Sequence, residues 1–200
     1  ADPDLELFQG CLSGNPEIRE ASFTKLFEKY RNKVYSTAFR ITGDATLAQD
    51  ATQETFMGVF RKVHTFNSKA KFSSWLFRIA VNDAIDQKRK SSKEPPVVSE
   101  DPGVGSTHHP PRTIVDPKSV DPEKIACTRE FESKVQEVIG RISDPLRVVV
   151  VLRYTQGLSY REIGEILECS VGTVKSRLSR AMRALEPLLL PILQRETERP

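Results

Sequence analysis

The chain has 200 residues, 38% hydrophobic and 28% charged, with a formal net charge of +3. That suffices for one large or two small globular domains, and it excludes a histone-like protein held to nucleic acid by bulk charge. No apolar run reaches the ~18 residues of a membrane-spanning helix, and Cys11, Cys127 and Cys169 lie too far apart for a disulfide framework or structural zinc site.

The N-terminal half reads as all-helical. Leu5 to Leu12 is spaced as a short amphipathic helix ending near Gly14. Pro16 opens a longer helix with Phe23, Leu26, Phe27, Tyr30, Val34, Ala38 and Phe39 on its apolar positions and Gly43 as its stop. Asp44 caps a third helix running to about Val63, with Leu47, Ala51, Phe56, Val59 and Phe60 inward. A loop from His64 to Phe72 follows. Ser73 or Ser74 then caps a fourth helix through Trp75, Leu76, Ile79, Ala80 and Ile85, ending in Lys88-Arg89-Lys90.

Residues 91–122 break this pattern. They hold seven of the thirteen prolines and little apolar periodicity, which predicts an extended or disordered linker. His108-His109 lies within it, with no other His or Cys nearby in sequence, so no metal site is expected. The acidic start, Ala1-Asp2-Pro3-Asp4, is unlike a signal peptide. Together with the cysteine usage it points to a reducing, cytoplasmic setting.

Ile125 to Ile142 is helical by spacing. Asp144-Pro145 reads as an N-cap followed by proline at the first helical position. The run Val148-Val149-Val150-Val151 has strand propensity. Its flanks, a helix start at Asp144-Pro145 and a Gly157 stop, with no partner strand in this half, predict helix instead. Leu158 to Leu178 reads as two capped helices and a short turn. Ser159 and Glu162 form an S-x-x-E capping box, and Ser170 caps the second helix. Val174, Leu178, Ala181 and Leu185 form the apolar back of that helix. Thr173, Lys175, Ser176, Arg177, Ser179, Arg180 and Arg183 form its front. Residues 171–185 carry four basic and no acidic side chains, more charge than the whole-chain net. A helix with a greasy back and a cationic, hydroxyl-rich front suits the DNA major groove. The apolar tail Leu188-Leu189-Leu190-Pro191-Ile192-Leu193 is expected to pack back on this domain.

Several motifs occur in order across both halves: Asp50-x-x-Gln53-Glu54-x-Phe56, then Phe72-Ser73-Ser74-Trp75-Leu76-Phe77-Arg78-Ile79-Ala80-Val81-Asn82, then Arg153-Tyr154, Gly172-Thr173-Val174-Lys175-Ser176-Arg177 and Arg180-Ala181. Together they resemble the extracytoplasmic-function (ECF) branch of bacterial sigma factors, over residues 5 to 90 and 123 to 187. The resemblance implies an all-α fold of two small helical domains joined by a long disordered linker. Sigma region 2 would occupy 1–90, the linker 91–122 and sigma region 4 123–200. It implies a dissociable subunit that directs RNA polymerase core to promoters.

The roles implied fall on particular residues. Asp50, Gln53, Glu54, Phe56 and Met57 match the segment that docks on a coiled coil of the largest polymerase subunit. Phe66, Asn67, Ser68, Lys69, Lys71 and Phe72 match the loop that captures a flipped base of the −10 strand. Their chemistry fits, since melted DNA is held by aromatic platforms and positive charge. Asn82 can hydrogen-bond a base edge, and Arg78, Lys88 and Arg89 suit phosphate. Trp75 is read as core. Arg153, Thr173, Lys175, Ser176, Arg177, Ser179 and Arg180 match the −35 reading surface. Ser179 is smaller than the side chains usual there, so a contact to a thymine methyl is missing. Glu94, Glu100, Asp101 and Asp116 in the linker are candidate mimics of nucleic-acid charge.

A cognate anti-sigma factor is a common partner in such proteins. No cofactor, metal or small-molecule substrate is implied. With no phosphate loop, metal-ligand spacing or nucleophile motif, no residue is assigned a catalytic role. The competing reading is an autonomous helix-turn-helix repressor or activator, with the N-terminal half as a dimerisation or sensing domain. A pure adaptor would not need the basic front of residues 173–183.

Overall fold

The computed structural model describes residues 2–66, 70–93 and 122–197. Asn67, Ser68, Lys69 and residues 94–121 of the expected 91–122 linker, with His108-His109 and the four candidate charge mimics, lie outside the described residues; residues 91–93 instead continue the fourth helix, and Pro122 opens the fifth. The elements are α1 (Leu5–Cys11), α2 (Pro16–Thr42), α3 (Ala45–Lys62), a 3-10 turn (Val63–Thr65), α4 (Phe72–Lys93), α5 (Pro122–Gly140), α6 (Asp144–Val150), a π turn (Val151–Thr155), α7 (Tyr160–Ile166) and α8 (Val171–Thr197). There is no strand among the described residues.

Local chemistry sets most boundaries. The Asn15 side chain accepts the Glu17 N–H at 2.9 Å, capping α2 ahead of Pro16. Gly43 ends α2 with φ +77°, a left-handed conformation that suits glycine. Asp44 then caps α3 by accepting the Leu47 N–H. The four valines are helical. Val148 to Val151 are all buried, so each is packed whichever way it points, and tertiary packing overrides strand propensity.

Several expectations need correction. Phe60 does not face inward; it is 57% exposed, and Phe27 is 36% exposed. Neither Ser73 nor Ser74 caps α4. That helix begins at Phe72, whose N–H donates to the Asp2 carboxylate at 2.6 Å. The cap of α6 is Ser143 rather than Asp144. Asp144 is free to pair with Lys88 and Arg147. The tail does pack back, because α8 continues through Pro187 and Pro191, laying Leu188, Leu189 and Ile192 on the core. Leu190 and Leu193 remain half exposed.

Two apolar clusters hold the molecule. One joins α1, α2, α3 and α4 through Phe8, Leu26, Tyr30, Val34, Phe56, Phe72 and Leu76. The other runs across both halves of the chain. Phe39, Ile41, Phe77 and Val81 meet Val138, Val148 to Leu152, Ile163 and Ile166 in one continuous core. Arg147 fastens the seam. Only 4% exposed, it donates to the carbonyls of Ile139, Gly140 and Ile142 in its own half and to Ile41 at the end of α2. Burial lowers its pKa. Three helix-end carbonyls and one in the connecting turn thus gain donors from a single guanidinium.

Candidate nucleic-acid and protein interfaces

The helix-turn-helix is built tightly. Ser159 and Glu162 exchange both capping-box bonds, Glu162 accepting the Ser159 N–H at 2.9 Å. Four residues, Leu167 to Ser170, connect α7 to α8. Gly164 lets them pass close by: a Cβ there would lie 2.9 Å from the Cys169 carbonyl oxygen. Ser170 accepts the Thr173 N–H at 3.0 Å and so caps α8.

Val174, Leu178, Ala181 and Leu185 are buried, which turns Lys175, Ser176, Ser179 and Arg180 outward to solvent. Arg180 is steadied by the Ser176 hydroxyl at 3.2 Å. Thr173 and Arg177 are half-buried at the edge of this face. Arg153 lies apart from the row. It donates to the Leu158 carbonyl at 2.9 Å and sits 5.2 Å from the Tyr160 ring centre, bracing the entry to α7.

On α3, Asp50, Gln53, Glu54 and Met57 are all exposed along one face, and Phe56 is buried behind them. Beside that face lies an apolar groove of about 510 Å³, lined by Phe23, Phe27, Phe56, Met57, Phe60 and Gln53 among others. Its walls are edge-on ring pairs, Phe23–Phe60 at 5.3 Å and Phe27–Phe56 at 4.8 Å. The periodicity argument places these phenylalanines in the core and so misses the groove. The available signal is a second apolar stripe on α2 and α3, wider than one buried face requires.

The third region is the start of α4. Phe72 is 1% exposed and serves as a support rather than a free platform. Phe66 is half-buried, edge-on to Phe8 at 4.6 Å and 5.4 Å from Trp75, itself half-buried. Asn82 and Arg89 face solvent. The other described cations of this surface are engaged by the opposite half of the chain. Lys71 pairs with Glu162, Arg78 with Glu168 and Lys88 with Asp144, each at 2.6 Å. Arg78 also donates to the Glu165 carbonyl at 2.9 Å. The Lys71 ammonium, with the Ser159 N–H and hydroxyl, holds the Glu162 carboxyl down at about 2. No helix among the described residues is long and apolar enough to cross a membrane.

Comparison with known proteins matches the order of these regions. The family model for Sigma-70 region 2 covers residues 26–94, and that for Sigma-70 region 4 covers residues 132–185. The chain is 34% identical over 176 residues to the RNA polymerase sigma-H factor of Pseudomonas aeruginosa, covering 86% of this chain and 89% of that one. It is 34% identical over 168 residues to the ECF RNA polymerase sigma factor SigW of Bacillus subtilis, covering 84% and 89%. Among solved structures it resembles the sigma factor RpoE from Bartonella quintana, in complex with the anti-sigma factor NepR, at 26% identity and a TM-score of 0.61, covering 84% of this chain and 96% of that one.

Proposed function

The chain belongs to the ECF sigma factors of RNA polymerase, and from that premise we propose how its surfaces divide the work. An ECF sigma factor binds polymerase core and directs promoter-specific initiation; it is not an enzyme. Region 2, residues 1–90, carries two contacts. Asp50, Gln53, Glu54 and Met57, backed by Phe56 and flanked by the apolar groove, dock on the polymerase coiled coil. The stretch from Phe66 to Phe72 with Arg78, Asn82, Lys88 and Arg89 takes the melted −10 strand. Within it, Phe66 offers a ring edge and Phe72 holds the site from beneath. Region 4, residues 123–200, reads the −35 duplex with Thr173, Lys175, Ser176, Arg177, Ser179 and Arg180. Arg153 acts there by bracing α7. Residues 91–122 tether the two.

A cognate anti-sigma partner and a cytoplasmic location fit this assignment, the first because the structurally similar RpoE is seen in complex with the anti-sigma factor NepR.

One observation carries the reading: two sigma regions follow each other in one chain. A freestanding repressor needs a helix-turn-helix and has no use for region 2. Lys175→Ala and Arg180→Ala test the assignment in transcription with core polymerase on a random promoter library. Each should weaken −35 discrimination by ~1–3 kcal/mol, the value of a base-edge contact, while core binding by co-purification is unchanged. Loss of core binding with promoter preference intact would overturn it.

A further inference from the structure

The packed arrangement cannot be the one that engages a promoter. Elements at −10 and −35 are about 25 base pairs apart, or ~85 Å along the duplex at 3.4 Å per step. Here α4 and α7 touch. The 28 residues between Lys93 and Pro122 can span at most ~95 Å when fully extended, enough for the halves to part.

Resting on the sigma reading above, we propose that α7 is an internal stand-in for the −10 strand: Glu162 and Glu168 occupy the cations that strand phosphates would use. The packed chain is therefore masked on its −10 surface and open on its −35 surface. Three observations support this. Lys71 and Arg78 remain 53% and 38% exposed, so what is withheld from DNA is their charge and not their accessibility. Arg78 takes one carboxylate and one backbone carbonyl together, a two-acceptor grip such as a phosphate offers. The exposed −35 face is untouched: among the described residues no ion pair involves Lys175, Arg177, Arg180 or Arg183.

The charge of α7 points the same way. The first helix of a helix-turn-helix crosses the DNA backbone, where acidic groups are unfavourable. This one and its turn carry Glu162, Glu165 and Glu168 against a single cation, Arg161. Glu162 and Glu168 pair with region 2 instead, while the Glu165 carboxylate takes Arg161 at 3.3 Å on its own helix.

The test uses the full chain, with and without polymerase core, and a fluorescent single strand of mixed sequence titrated over a range of salt. Glu162→Gln with Glu168→Gln preserves shape and removes the mask. Two more phosphates should then be neutralised by the free protein, steepening the salt dependence of log K by ~1.4 and tightening binding by on the order of tenfold at 0.1 M salt. The charge-matched control, Glu20→Gln with Glu28→Gln, changes two exposed carboxylates of α2 away from the seam and should leave the slope unchanged. An unchanged slope in the first variant, or an equal change in the control, overturns the mask while leaving the sigma assignment intact. Failure of the unaltered chain to bind core overturns the sigma assignment itself.

Discussion

Replacing Arg147 by Met probes what joins the two halves. Methionine keeps the volume of the aliphatic stem and removes every donor. Arg147 donates to four carbonyls, those of Ile139, Gly140, Ile142 and Ile41. At ~1.5–3 kcal/mol per bond to a charged group, simple addition gives ~6–12 kcal/mol. That is an upper bound, because the guanidinium is almost fully desolvated and its removal returns that cost. Breaking a buried charged network commonly costs ~3–5 kcal/mol, and ~4 kcal/mol is the expected loss here. For a chain of this size each kcal/mol moves Tm by ~2–4 °C, so the melting point should fall by ~8–16 °C. Urea unfolding followed by far-UV circular dichroism measures the loss directly. Arg147→Lys should recover only a fraction, since one ammonium cannot reach carbonyls on both sides of the seam. A loss below ~1 kcal/mol for Met would refute the claim that these bonds hold the α5–α6 turn together and tie it to α2. Full recovery by Lys would refute the claim that the planar fork matters.

Two further expectations concern the helix-turn-helix. The Glu162 carboxyl is held at about 2 against an ordinary 4.5, so its pairing stabilises the packed form above pH 4.5 and is lost as pH falls from there toward 2. Lys71 is shifted upward by the same hydrogen bond, so its share is present below its ordinary 10.5 and is lost only above it. Carboxyl NMR titration checks this, and a Glu162 midpoint at its ordinary value would contradict the Lys71 contact. Gly164→Ala sets a methyl against the Cys169 carbonyl. It should cost ~1–3 kcal/mol by overpacking and weaken duplex binding; an alanine variant of full thermal stability would show that the turn is looser than described.

The parts of the fold readable from sequence are those whose causes are local. Gly43, Asp44, Ser159 with Glu162, and Ser170 act within four residues of the ends they set, so residue type and spacing reveal them. The apolar back of α8 repeats with helical period, and its reading face follows by subtraction. Partners distant in sequence leave no such trace. Asp2 meets Phe72 across 70 positions, Lys71 meets Glu162 across 91, and Arg147 meets Ile41 across 106. Each looks like an ordinary solvated or capping residue in its own neighbourhood. Phe60 is misread for another reason. Period identifies an apolar stripe but not whether the protein itself covers it. Helix α3 has two such stripes, one under α4 and one open to the groove.

The π turn at Val151–Thr155 has a mechanical meaning. Its hydrogen bonds reach one residue further along the chain than those of a regular α-helix, as from the Gln156 N–H to the Val151 carbonyl, so one extra residue is let into the run. Everything downstream is therefore advanced by about a third of a revolution relative to the valines before it. Arg153 projects from this turn over the Tyr160 ring, and the chain leaves it toward Gly157, whose φ of +68° breaks the helix. The wide turn thus works as a vernier between a buried anchor and a DNA-reading head. Two proteins with identical cores and identical recognition helices, differing only in this pitch, would present their heads along different azimuths.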